Sequence, residues 1–377
     1  MDATLVSGLT AVAKSAGAVK AVIIARFFGA GSDLDAYLLA FLIPSFLAAA
    51  AMGILIAQAG GRRTLLACSL LLVMLPILPL SALSNVWRAT LNANHRFAVA
   101  ASVATLTPVV IVLSLMVAGR NVYWIAAGTT VGAAAETIAL GFALCRLNTL
   151  SSLFSLPRWQ RGSEIAVREY RSIAITNVVV GGSVFLDQAM AAMLGAGAVS
   201  ILNYGTRLVP VLIAVGPEAL GITLLPRFSQ MLVPGGRGRT TPFLNRFVAV
   251  AMAGSAAVAG LLIGLSGPIV RLVFRHSALG AADASSVASV QSMSLLQLPF
   301  AVGVALLSRY VASARVNHIL VPVSAAGLTL NAALNFLLTP RFAVAGIAMA
   351  TTIAQAAVFM ILLVAVSRTR RHEALEC

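Results

Sequence analysis

Three cations stand six residues apart in the first apolar run of the chain: Lys14, Lys20 and Arg26, within KSAGAVKAVIIARFFGAG. A positive charge near the middle of a spanning helix costs at least about 3 kcal/mol unless it faces a cavity or a partner. At about 100° per residue, a spacing of six turns each cation about 120° from the next, so the three cannot share one stripe. Lys14 falls near mid-run and Lys20 about two turns further on, and a bend at Gly17 helps both to face one cavity, where an ammonium group would bind an anion. Arg26 closes the run beside Gly29 and can snorkel to the interface, which slightly favours an anchor over a ligand.

The second half carries its own intramembrane charges. Arg207 lies about three turns into its run, in SILNYGTRLVPVL, and Asp187 lies deep in the run before it. Either they pair with each other, or Arg207 binds an anion and Asp187 binds a cation or tunes a lysine. Glu136 and Glu218, the latter just after Pro217, also sit in apolar runs; ion coupling and a buried pair are equally open for both. Asp33 and Asp35 fall at a turn, where helix capping is the simpler role, although Asp35 is near enough to Arg26 to pair with it. Asn331 and Asn335 are four apart on one helix face and suit hydrogen bonds across helices, as packing rather than as a site. No nucleophile and base pair, phosphate loop followed by lysine, or HExxH pattern stands out, so no catalytic residue is expected. Cys68, Cys145 and Cys377 have neither disulfide nor metal spacing, and no metal or organic cofactor is implied.

The elements that must hold these charges are membrane helices. Of 377 residues, 60% are hydrophobic and only 10% charged, with a mean hydropathy of +0.97. A soluble domain carries about a quarter charged residues. The formal charge of +15 lies mostly in short connections, where it orients a membrane protein rather than binding nucleic acid. A span needs about 20 apolar residues, and eleven runs qualify: 5–28, 34–58, 64–91, 98–118, 122–145, 172–195, 198–226, 247–270, 287–312, 318–338 and 343–366. The chain therefore reads as an all-α polytopic membrane protein, with no cleaved signal peptide expected.

Basic clusters at 146–171, 227–246, Arg315 and the tail from Arg368 are each separated by two spans, so they share one side. The positive-inside rule makes that side cytoplasmic, the C-terminus included. The connection 146–171 contains RWQRGSEIAVREYRS after Pro157, which suits either an interfacial helix or a solvated linker.

An internal repeat divides the chain. ARFFGAG at 25–31 is echoed by AAMLGAG at 191–197, each followed thirteen residues later by a proline, Pro44 and Pro210, at a constant offset of 166. Arg88 and Asn94 are echoed by Arg309 and Asn317 at an offset near 222. This sets a first lobe at 1–145, a linker at 146–171, a second lobe at 172–366 and a basic tail at 367–377. The second offset is longer than the first by the length of one span plus a connection, so the first lobe has five helices where the second has six. A single span over 64–91 puts Arg62 and Arg63 outside; a tight hairpin broken at Pro76 and Pro79 would avoid this, with arms too short to cross about 30 Å.

The stretches ARFFGAGSDLDAYLLAFLIP, FLDQAMAAMLGAGAVSILNYGTRL and LGITLLPRFSQ, with the pair NANHRFAVAASVATLTP and LNAALNFLLTPRFAVAGIAMATT, resemble the MurJ/MviN lipid II flippases over most of the chain. The resemblance implies two pseudo-symmetric helical lobes around a central cationic cavity that binds a polyprenyl-pyrophosphate-linked glycan and moves it by alternating access. It implies a bacterial inner-membrane location and partners limited to that glycan lipid, membrane lipids and envelope-synthesis proteins. Coupling would be to the membrane potential or a monovalent cation. Lys14 and Lys20 fall where the family has cavity arginines, Arg26 and Asp35 match its hairpin motif with Gly29, Gly31 and Pro44, and Arg207 matches the arginine of its eighth helix. The family's arginine after the second-helix proline is replaced by apolar residues around Ala48, its acids flanking the eighth-helix arginine by Thr206 and Pro210, and its last two helices are absent from this sequence. A drug or cation antiporter, for which acidic cavity residues should dominate, and a non-transporting scaffold or degenerate copy are the competing readings.

Overall fold

The structure, a computed structural model, describes residues 62–94, 96–118, 121–146, 163–213, 237–274, 280–314 and 316–375. Lys14, Lys20, Arg26, Asp35, Gly29, Gly31, Pro44 and Glu218 lie outside them. The described secondary structure is helical, and the chain divides into two compact units.

The first unit contains α1 (Arg62–Met74), α2 (Ile77–Ala93), α3 (Phe97–Val103), α4 (Leu106–Ala118) and α5 (Val122–Cys145). α1 and α2 do not fold back on each other. Ser69 Oγ meets the Tyr123 hydroxyl at 2.8 Å, Thr130 Oγ1 donates to the Val73 carbonyl at 2.9 Å, and Ser84 meets Thr137 at 2.8 Å. Further along, Gly141 faces the Trp87 ring. Partners advance together along both segments, so α1 and α2 form one span, Ser69–Arg88, parallel to α5. This excludes the tight-hairpin alternative. Pro76 interrupts the helix because it cannot donate to a carbonyl one turn back, and the chain continues in the same direction after the break. α4 runs the opposite way along α5: Ser114 Oγ donates to the Trp124 carbonyl at 3.1 Å, and Gly128 and Gly132 face Ser114 and Thr107. Small residues at these crossings let the backbones approach.

The second unit is built on α6 (Ser163–Met193), α8 (Leu208–Ile213), α9 (Arg237–Gly264), α12 (Leu298–Ser313) and α13 (Leu320–Leu375), with the larger parts of α7 (Ala198–Thr206), α10 (Ser266–Phe274) and α11 (Ala281–Leu295), whose residues 198–201, 271–274 and 281–284 fall in the first unit. Residues 163–171 belong to one continuous helix with the following span; residues 147–162 of the connection lie outside the described residues. The run expected as a single span at 287–312 is broken: α11 and α12 bend by 42°. Pro299, in the first turn of α12, cannot donate to the Leu295 carbonyl, which is where the ladder fails. α13 is two arms joined at Ala343, whose φ of 48° is non-helical. At 1.5 Å per residue its 56 residues far exceed one bilayer, and the two arms match the spans expected at 318–338 and 343–366. The core of this unit gathers Leu306, Tyr310, Phe359 and Leu362, with Phe300 and Phe359 rings 6.3 Å apart.

Among the described residues six helices are long and apolar enough to cross a membrane, and α11 with α12 makes a seventh. Dividing α13 at its kink adds one more span.

Gly346 closes the α13 turn. A Cβ there would lie 2.6 Å from the Leu338 carbonyl oxygen and 3.1 Å from the Thr339 nitrogen, both backbone atoms. Gly346→Ala is expected to destabilise the protein by about 1–3 kcal/mol through overpacking. Gly254→Ala, with nothing within 4 Å of its Cβ, should be neutral or slightly stabilising. Thermal unfolding of the two purified variants checks the contrast.

Candidate functional site

Asp187 is the centre of a polar cluster in the second unit. It projects from α6 one turn after Ser183, towards the face of α13 that carries Asn331 and Asn335. That face exists because residues four apart stack on a helix. Oδ1 of Asp187 accepts from Asn331 Nδ2 at 2.8 Å and from Asn335 Nδ2 at 2.7 Å; Oδ2 accepts from Thr351 Oγ1, on the second arm of α13, at 2.9 Å. Asn331 Nδ2 also donates to Ser183 Oγ at 2.8 Å. Both asparagines are buried, at 1% and 0% exposure.

Each of these donors is neutral. They solvate the carboxylate without cancelling its charge, and burial of an unneutralised charge is costly. The Oδ1 atoms of Asn331 and Asn335 are themselves buried without a hydrogen-bond partner. A carboxylate beside two unused amide oxygens is an oxygen-donor set of the kind that hard cations take.

Asp187 and Thr351 also line a cavity of about 690 Å³ that lies wholly within the second unit. Its other walls come from α7 and α8 (Asn203, Thr206, Val209, Pro210), from the broken α11 and α12 pair (Ser294, Gln297, Ser308), and from α13 (Ser324, Gln355, Val358). Arg207 is not among the described lining residues. It is half-buried at the break between α7 and α8, where its N–H donates to the Tyr204 carbonyl at 3.3 Å. The sequence placed it within a continuous span; the helix in fact stops at Thr206 and restarts at Leu208.

Glu136 sits in the first unit and takes the buried-pair role. One carboxylate oxygen accepts from the Arg88 guanidinium of α2, the other from Thr107 Oγ1 of α4 at 2.8 Å. With both oxygens engaged, Glu136 ties three helix segments together.

Sequence reasoning missed Thr351 and Ser183, which are ordinary small polar residues in apolar runs. It assigned Asn331 and Asn335 to packing. They do bond across helices, and their partner is the acid singled out separately; an amide pair spaced four apart in an apolar run was the available signal.

A family model described as lipid II flippase MurJ matches residues 48–375. The probable lipid II flippase MurJ of Rhizobium tropici is 25% identical over 292 residues, an alignment covering 75% of this chain and 54% of the relative. That of Synechocystis sp. is 23% identical, covering 93% of this chain and 78% of the relative. The chain thus spans about half the length of the first relative and over three quarters of the second. Among solved structures, a lipid II flippase MurJ in an inward closed conformation superposes with a TM-score of 0.79 at 18% identity, covering 97% of this chain and 87% of that one. An inward-facing multidrug resistance MATE family transporter of the MOP superfamily gives 0.73 at 10% identity, covering 98% and 94%.

Proposed function

Since the chain belongs to the lipid II flippase MurJ family, we propose that it is a transporter that moves a polyprenyl-pyrophosphate-linked glycan, lipid II or a related envelope precursor, across the bacterial inner membrane by alternating access. The family match over 48–375 carries this reading. The transporter fold shared with the MurJ and MATE structures agrees with it. The MATE likeness is one of fold alone and gives no support to a drug substrate.

In this proposal Lys14, Lys20 and Arg207 hold the pyrophosphate. Intramembrane cations are costly unless they meet an anion, and charge-assisted bonds to phosphate oxygens are the strong ones. Arg26, with Asp35, Gly29, Gly31 and Pro44, shapes the first hairpin. Asp187, with Thr351 and the free amide oxygens of Asn331 and Asn335, binds a monovalent cation whose entry drives the cycle. Glu136 drops out of the coupling role because its charge is already paired with Arg88. The two lobes, the 146–171 linker and the basic tail from Arg368 at the cytoplasmic face complete the picture.

Lys14→Ala and Arg207→Ala are each expected to abolish rescue of a flippase-depleted strain while the protein accumulates at the wild-type level. Normal growth with both variants would defeat the proposal.

A further inference from the structure

We propose that Thr352 is a positioning residue that couples the cation site at Asp187 to the break between α11 and α12, so that the bound cation sets the bend of that helix pair. This rests on the reading above only in placing a monovalent cation at Asp187.

Two neighbouring hydroxyls on the second arm of α13 reach two different helices. Thr351 Oγ1 donates to Asp187 Oδ2 on α6 at 2.9 Å, and Thr352 Oγ1 donates to the Met293 carbonyl of α11 at 2.8 Å. Consecutive residues of a helix stand about 100° apart, which is why one faces the acid and the other faces α11. A hydroxyl has one hydrogen, and each of these two has a second acceptor on its own helix: the Ile347 carbonyl for Thr351 and the Ala348 carbonyl for Thr352, both at 2.9 Å. Each hydrogen can therefore pass between a partner on another helix and one within α13. A cation on Asp187 competes with the Thr351 hydrogen for Oδ2, which sends that hydrogen to Ile347 and shifts the turn that holds Thr352.

The carbonyl that Thr352 meets stands at the end of a helix. The Gln297 N–H, which an unbroken helix would give to Met293, donates instead to the Ser294 carbonyl at 3.3 Å, and Pro299 has no N–H for Leu295. The last turn of α11 is thus held from outside, by a side chain of α13. With these two rungs of the ladder altered, the 42° bend is where the pair yields most easily, since hinges are element-terminal residues of this kind.

A change of bend there reaches the substrate side. Ser294 and Gln297, at the break, line the cavity that Asp187 and Thr351 also line. Val290, three residues before Met293, packs on Gly205 so closely that a Cβ there would lie 2.6 Å from it, and Gly205 is two residues from Arg207. The broken pair therefore adjoins both the cation site and the segment that carries Arg207, and an element with two arrangements that both sites bias is what coupling requires.

The test uses the purified full chain in nanodiscs, with Cys68, Cys145 and Cys377 replaced by serine and spin labels on Ser289→Cys and Arg309→Cys, exposed positions on either side of the break. With Thr352 in place, sodium chloride against choline chloride is expected to raise Tm and to shift the distance between the labels. Thr352→Val, which trades the hydroxyl for a methyl of similar size, should keep the rise in Tm and lose the shift in distance. It should also lower transport of a labelled polyprenyl-pyrophosphate lipid about tenfold, within the range of ordinary coupling energies. Thr352→Ser should restore both the shift and the transport. Pro299→Ala, which returns the missing N–H, should lose the shift with Thr352 intact, and reads the break even if Thr352→Val does not fold. A rise in Tm without a shift when Thr352 is present, or a shift that persists in Thr352→Val or in Pro299→Ala, would overturn the coupling and leave the cation site standing. Neither rise nor shift with Thr352 present would overturn the cation site and the coupling together.

Discussion

Asp187→Asn is expected to lower transport at least tenfold and to erase the stabilisation of the folded chain by sodium, with the fold left in place. The substitution keeps the shape of the side chain. Its amide oxygen can still accept from Asn331 and Asn335, which now bond to Oδ1 at 2.8 and 2.7 Å. Its amide nitrogen takes the position of Oδ2, where the Thr351 hydroxyl can turn from donor to acceptor. What disappears is the charge that, in the proposal above, draws a cation to the two unused amide oxygens. A ligand that binds only the native state at a hundred times its Kd stabilises that state by about 2.7 kcal/mol. Thermal unfolding in sodium chloride against choline chloride should therefore separate wild type from variant, with the sodium-dependent rise in Tm present only in the first. An equal rise in both would remove Asp187 from cation binding. Asp187→Leu should behave differently again. It strands the buried Asn335 amide, while Asn331 keeps its bond to Ser183, at roughly 1–3 kcal/mol for the unsatisfied group, so its defect should begin with stability.

Glu136→Ala is expected to destabilise the first unit by about 2–3 kcal/mol, near the lower end of the cost of breaking a buried ion pair. Removing the carboxylate leaves Arg88 without its counter-ion and Thr107 without its acceptor. The side chains of Arg88 and Glu136 are 33% and 13% exposed, so the guanidinium keeps some access to water and the penalty stays below that of full burial. Replacing both partners, Arg88→Leu with Glu136→Leu, should recover most of the loss, because an apolar pair of similar volume leaves no charge uncompensated. Unfolding of the two single variants and the double variant measures the coupling directly. A double variant less stable than Glu136→Ala would show that the charges do more than tie α2, α4 and α5 together.

Residue types and spacing were enough to establish a polytopic helical membrane protein. Runs of about 20 apolar residues cannot be placed in water, and a bilayer admits helices as their simplest form because the backbone must satisfy itself. The family was legible too, in the two GAG hairpins and the NYGTRL stretch. The costly charges announced themselves singly, since an ionisable residue in an apolar run is rare enough to notice without knowing its neighbours.

Their partners were not legible. Asp187 meets Asn331 and Thr351 across 144 and 164 residues, and Glu136 meets Arg88 across 48. Hydropathy periodicity is a local signal and carries no record of which apolar run packs on which. Pair and ion site therefore stood level for Glu136 until the guanidinium was found beside it. The same limit applied to 64–91, where two prolines suited a hairpin or an interrupted span equally well. The choice came from α5, whose hydroxyls and glycines meet residues 69 to 87 in ascending order. The composition of the chain thus determined which charges sit in the membrane. Only the packing of distant helices decided which of them are already neutralised, as Glu136 is, and which, like Asp187, are held by neutral donors with charge to spare.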